Sequence, residues 1–146
     1  MTSTPGAGPP RLPHWPPGTA AVLCVAGPHA IPVSTAIRAG DDRLLFALGR
    51  RRDTLARLRG DPRAALCLLA EEIAFTAHGE VSVVREELRR IPVTALELRV
   101  TRVQDHLVDG RTEMVCAPGW RWRAERDAEA DRLVHGELAL LAEAAS

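Results

Sequence analysis

The 146-residue chain contains no lysine, no tyrosine and no asparagine, and its aromatic side chains amount to three Trp and two Phe. Without lysine there is no Schiff-base nucleophile and no ε-ammonium general base, so any anion must be held by guanidinium, hydroxyl or backbone groups. The deficit stands beside nineteen Arg and abundant Ala, Gly and Leu, a pattern that fits the codon bias of a GC-rich genome better than selection for chemistry. No net charge is present either, nineteen basic side chains balancing nineteen acidic ones. That removes the global field of a general nucleic-acid binder, whose affinity rests on clustered cations and counterion release. No apolar run approaches the roughly 18 residues of a membrane-spanning helix. Cysteine is scarce, and Cys24, Cys67 and Cys116 form no close pair, so neither a disulfide framework nor a zinc site is indicated. Cys24 and Cys67 lie inside apolar runs, where a free thiol acts as a small hydrophobe. The five His show no metal-ligand spacing. The N-terminus lacks the apolar core of a secretory signal, which makes a reducing cytoplasm the expected compartment, with no nucleic-acid or membrane partner.

What remains is the composition of an ordinary folded protein, 46% hydrophobic and 26% charged. The length predicts one domain with a real core. Six of the eleven prolines fall in residues 1–17, so residues 1–18 read as an extended or disordered arm, with Trp15 as its one large apolar anchor, and residues 19–146 as the folded domain. Short apolar runs follow. AAVLCVA (20–26) ends at Gly27-Pro28, and IPVSTAI (31–37) and RLLFAL (43–48) read as the next strands. Asp53 to Gly60 predicts a short helix with Asp53 as N-cap and Gly60 just past its end. RAALCLLA (63–70) has the continuous apolarity of a strand buried on both faces. AFTAHGEVSVV (74–84) and ALELRVTRV (95–103) alternate with period two, as strands with one buried face do. TEMVCAPGWRWR (112–123) predicts a further strand and turn, and 124–145 an amphipathic helix with Leu133, Val134, Leu138 and Leu141 on one stripe. Five to seven antiparallel strands, one inserted helix and a terminal helix make a mainly β fold, a small barrel with α additions.

The sharpest chemical feature is local charge. Residues 50–63 hold six Arg against two Asp, and Arg50, Arg51 and Arg52 immediately precede the short helix. A helix N-terminus offers unpaired N–H groups and a positive dipole end, so with Thr54 these guanidinium groups form a candidate phosphate site; a solvated basic helix is the competing reading. Asp53 opposes the site, because its carboxylate would cap the same N–H groups. His78, on the polar face of its strand, and Trp120 and Trp122 in GWRW are further candidates for ligand contact, against structural roles as a hydrogen-bonded His and a closed core edge.

The order of these motifs carries more than any one of them. A Gly-Pro-His turn leads into IPVSTA, then RLLFAL, TLARLRGDPRAALCLL, FTAHGEVSVV and a strand ending VTRVQDH, across Ala20 to His106. This succession resembles the pyridoxamine 5′-phosphate oxidase-like family of flavin-binding split β-barrels, most specifically in TLARLRGDPRAAL. The resemblance implies a six-stranded antiparallel split barrel, a homodimer, and FMN, or alternatively a deazaflavin, in clefts between the chains. It implies an oxidoreductase acting on a small molecule, with a non-catalytic ligand-binding or scaffold barrel as the alternative. By position it assigns Val33, Ser34, Thr35, Ala36 and Ile37, with Ala47 and Leu48, to the isoalloxazine ring, and the phosphate pair to Asp53 and Thr54, with Arg50, Arg51 and Arg52 as the nearby cations that would take over the phosphate. His78 and Trp120 would approach the cofactor. The chain departs from the family at Asp53 and Thr54, which stand where an Arg-Lys pair is common, and at Ala74, which stands where true oxidases carry a flavin-contacting Gln. It also lacks their C-terminal R-x-H, so the resemblance implies a relative rather than a pyridoxamine phosphate oxidase proper.

Overall fold

The structure is a computed structural model that describes residues 8–50 and 52–144; residues 1–7 of the predicted arm and Arg51 lie outside the described residues. Seven strands and two helices follow in chain order: β1 (Ala21–Val25), β2 (His29–Val33), β3 (Ile37–Gly40), β4 (Arg43–Gly49), α1 (Asp53–Gly60), β5 (Arg63–Ala70), β6 (Ile73–Arg85), β7 (Val93–Asp105) and α2 (Glu125–Ala144). They form one antiparallel sheet in the order β2-β1-β5-β6-β7-β4-β3. The predicted mainly β architecture with a short inserted helix and a C-terminal helix is therefore present.

The connection between β2 and β3 dictates the curvature. These strands are the two edges of the sheet, yet only Ser34, Thr35 and Ala36 separate them. The link from Val33 to Ile37 can span at most about 15 Å. Across a flat seven-stranded sheet the edges would stand roughly 29 Å apart at ~4.8 Å per strand. The sheet must curl until its edges nearly meet, which makes a barrel split at 34–36. The run 31–37, which reads as a single strand, thus divides into parts of two strands, and the sheet counts seven strands where six were expected. Thr35 replaces ladder pairing at the break. Its Oγ1 accepts the Ala47 N–H at 2.9 Å and donates to the Ala47 carbonyl at 3.3 Å.

Alternation along the strands fills the barrel. Leu23, Leu44, Phe46, Leu66, Leu68, Leu96 and Leu98 point inward and are almost fully buried. A smaller core lies outside the barrel, where α2 covers Leu45 and Ala95 with Val134 and Leu138. The outer surface of β1 and β5 has no such cover. Cys24 is exposed, Cys67 half-buried, and Leu69 40% exposed, so β5 is not buried on both faces as its apolar run suggests.

The Pro-rich arm is extended and docked from residue 8 onward. Leu12 is 1% exposed, its N–H donates to the Asp41 carbonyl at 2.7 Å, and its own carbonyl accepts from Arg38 Nε. Trp15 packs on Phe75 at a centroid distance of 5.5 Å and donates its indole N–H to the Ala36 carbonyl at 2.9 Å. The predicted strand in 112–123 is absent: the segment is irregular and mostly exposed, with Val115 at 76%. It offers no face to bury, and it is held by the Met114 carbonyl, which accepts the Glu72 N–H, and by Trp120. No helix among the described residues is long and apolar enough to cross a membrane.

Helix α1 buries Thr54, Leu55 and Leu58 against the barrel. Its ends differ from the sequence reading. Arg52 is the N-cap and makes no side-chain cap, Gly60 is the last helical residue, and Asp61 is the C-cap. The Asp61 carboxyl is held down to about 2 by hydrogen bonds from the Arg63 side chain and then the Arg63 backbone N–H. A folded value below the ordinary 3.8 means that whatever this pair contributes is complete above about pH 4 and lost as the pH falls through 2. An NMR titration of the Asp61 side chain should show a midpoint near 2, moving toward 3.8 in Arg63→Ala; an unshifted midpoint in the unmutated chain would show that the pair does not form.

Candidate functional site

The split in the barrel opens a cleft of about 280 Å³ on the outer face of β4. One wall is the 32–35 segment leaving β2, and the second is the end of β4 at Ala47, Leu48 and Gly49. Val93 and Ile91 close the base, and α2 overhangs with Ala130 and Val134. Ala47 reaches this face because Phe46 and Leu48 take the inward positions of β4, so its small side chain leaves a flat apolar shelf. The Thr35 hydroxyl is committed to Ala47, whereas Ser34 beside it has no partner among the described residues.

Charge at the mouth is mixed. Arg52 lines the cleft at the N-cap of α1, is exposed, and forms no ion pair among the described residues. Asp127 and Asp131 line the α2 side, and Asp131 lies 3.6 Å from His135 Nε2. Asp53 does not obstruct the helix N-terminus. Its carboxylate turns back to accept from Arg57 Nε at 2.8 Å, and that hydrogen bond holds its pKa below the ordinary carboxylate value. The conflict apparent in the sequence is resolved by an i,i+4 ion pair along the helix surface.

Of the residues assigned to the site, Val33, Ser34, Thr35, Ala47, Leu48 and Arg52 converge on this one cleft. Ala36 is fully buried in the barrel core, with its carbonyl given to Trp15, and Ile37 packs beneath α2. Arg50 sits 3.5 Å from Glu87 in an exposed ion pair. Thr54 is buried, its hydroxyl 2.8 Å from His29 Nε2. His78 lies on the outer face of β6, against Gln104 at 3.3 Å. Trp120 donates its indole N–H to Gly18 O and meets Trp122 edge-on, and it is Trp122 that reaches the cleft. Gly49, Ile91, Val93 and the α2 residues carry no local motif that could have announced them. Only the docking of α2 over β3 and β4 brings them there. Among the described residues no group of three His, Cys, Asp or Glu side chains comes together as a metal site.

No family model matches the chain, and no curated protein matches it by sequence. Solved structures do. The "Putative Pyridoxamine 5′-phosphate oxidase" of Listeria innocua superposes with a TM-score of 0.50 at 14% identity, covering 60% of this chain and 88% of that one. HupZ of Group A Streptococcus gives a TM-score of 0.52 at 11% identity over 69% of this chain and 90% of its own. An F420 reductase gives 0.50 at 12% identity over 60% and 90%. At such identities the likeness concerns architecture, and it agrees with the curl forced by residues 34–36. The chain has the split-barrel fold of the pyridoxamine 5′-phosphate oxidase-like proteins.

Proposed function

We propose that the cleft binds a flavin or deazaflavin and that the protein is an oxidoreductase acting on a small molecule, with FMN as the cofactor. The observation that carries this reading is the convergence of Val33, Ser34, Thr35, Ala47 and Leu48 on one flat apolar shelf with an unpaired Arg52 at its end. The residues fit such a group: the shelf suits a planar ring, and Arg52, together with the α1 N-terminus left uncapped by Asp53, suits a phosphate. Hydride transfer is the chemistry a bound flavin supplies, and the chain's task is binding and orientation. Ser34 would donate or accept at the ring edge, Thr35 would hold the shelf to β4, and α2 with Trp122 would exclude water from one side. Two solved neighbours are described as a FAD-binding protein and an F420 reductase, which lends support to this ligand class.

The same reading includes a homodimer, cytoplasmic in location. Pairing register places Ala30, Pro32, Val22, Cys24, Ala65, Cys67 and Leu69 on one outward face of β2, β1 and β5. That face is apolar apart from Arg63 at the start of β5, which is paired with Asp61, and Val22 and Leu69 are 41% and 40% exposed. A second copy of this chain is the partner with a matching face. His78 lies on its polar margin, opposite Ala65, where it would meet the partner rather than its own cleft. Asp127 and Asp131 favour one competing reading, a barrel that holds a neutral or cationic ligand without redox chemistry.

Titration with FMN, riboflavin and a deazaflavin, read in the visible spectrum, separates these readings. The oxidoreductase reading predicts micromolar binding of FMN or the deazaflavin; no binding of any of the three overturns it. Sedimentation should give a dimer. Arg52→Ala should weaken FMN by about tenfold, the order expected for one charge-assisted contact, and leave riboflavin almost unchanged. Equal losses for both would remove Arg52 from the phosphate.

A further inference from the structure

A second cavity, of about 550 Å³, is larger than the cleft. It lies on another face of α2, between that helix and the charged connector 86–92 that joins β6 to β7. Helix α2 thus serves two concave surfaces. Residues 127, 130, 131 and 134 face the cleft, and residues 132, 133, 136, 137, 140, 141 and 144 face the second cavity.

Its chemistry is two-sided. Leu133, Leu140 and Leu141 supply an apolar wall, and Leu140 stands 67% exposed in a protein whose core leucines are nearly all inaccessible. Facing them are Arg85, Arg89 and Arg90, none with a carboxylate partner among the described residues. The nearest acid is already committed. The two Glu137 carboxylate oxygens accept the backbone N–H groups of Arg89 and Arg90 at 2.7 and 3.1 Å, which fixes the connector to α2 and leaves both guanidinium groups over. The fourth arginine of the lining, Arg132, is paired with Glu125 and Glu129.

Gly136 adds an independent observation. It sits in the interior of a twenty-residue helix, where glycine weakens the helix relative to alanine. A Cβ at this position would meet nothing within 4 Å, so no packing within the protein requires the glycine. Its effect is to deepen the cavity floor. The volume lies in the ordinary range for small-molecule sites.

We propose that this cavity binds a single-chain anionic amphiphile, a carboxylate or phosphate head on an apolar tail. Arg85, Arg89 and Arg90 take the head in charge-assisted hydrogen bonds, and the tail lies along Gly136 against Leu133, Leu140 and Leu141. The site is separate from the cleft and does not depend on what the cleft binds.

Calorimetric titration with decanoate, with decanol and acetate as controls, tests this. Decanoate should bind at micromolar concentration, decanol at least tenfold more weakly, and acetate not measurably. Gly136→Leu, which fills the floor while favouring helix, should abolish decanoate binding. Arg89→Ala/Arg90→Ala should weaken it at least tenfold, and it leaves the Glu137 contacts intact because these use backbone N–H groups. Circular dichroism of each variant establishes folding; if Gly136→Leu fails that check, the arginine pair decides. Equal affinity for decanol and decanoate, or unchanged binding in the folded variants, overturns the proposal. It is also overturned if sedimentation shows Gly136→Leu splitting a dimer, which would make the cavity an interface between copies. Binding to phosphatidylglycerol vesicles without binding of free decanoate overturns it in favour of a membrane surface.

Discussion

Gly79→Ala is expected to destabilise the barrel by about 3 kcal/mol or more, at or beyond the upper end of ordinary overpacking costs. A Cβ at Gly79 would stand 1.9 Å from the Arg99 carbonyl oxygen and 2.8 Å from its carbon. Both are backbone atoms of the paired strand and cannot rotate away as a side chain would. The close approach comes from a bulge: β6 pairs His78 with Arg102 but Gly79 with Val100, so Thr101 has no direct partner and donates its hydroxyl to the His78 carbonyl instead. Bulges tighten twist and bend strands, which a sheet closing on itself requires. Urea unfolding would measure the loss. A change under 1 kcal/mol would mean that β6 and β7 are not pressed together at this point. Gly79 sits in the alternating run of residues 74–84, where its sequence gives only its face; the reason for glycine is visible only once β7 is beside it.

Leu12→Ala should cost about 3 kcal/mol, in the range of buried leucine truncations. Leu12 is 1% exposed, although it lies in an arm that contains six prolines and whose described residues form no helix or strand. Its loss should also reach the cleft. The arm holds the Ala36 carbonyl through Trp15 and Arg38 through the Leu12 carbonyl, so the segment running from Ser34 into β3 is supported from inside the barrel by these contacts. Ligand affinity at the cleft should therefore fall along with stability, and deletion of residues 1–18 should produce both effects more strongly. If affinity is retained when stability drops, the arm is a plug and does not support the shelf.

These cases mark the boundary between local and tertiary information. Strand positions were legible where one face is buried: the alternation of Leu96, Leu98 and Val100 against Glu97, Arg99 and Thr101 corresponds to the inner and outer faces of β7. The apolar face of α1 was legible for the same reason. Its cap was not. Asp53 has the right chemistry for an N-cap, but the helix starts one residue earlier than that role needs, and its carboxylate bonds Arg57 one turn on. The cleft was legible in part, because Val33 to Thr35 and Ala47 to Leu48 belong to motifs, while Asp127, Asp131 and Trp122 arrive from a segment about ninety residues away in the chain.

The absences in the sequence determined much by themselves. Without lysine, only arginine, hydroxyl and backbone groups are open to an anion, and a balanced total charge leaves any cationic site to the local clustering of arginine. Tertiary structure decided which of them are available. Arg50 and Arg57 are engaged by Glu87 and Asp53, Arg52 stands unpaired at the cleft, and Arg85, Arg89 and Arg90 gather over α2. A charge count is additive along the chain, but the availability of a guanidinium group depends on which carboxylates the fold brings within about 4 Å of it.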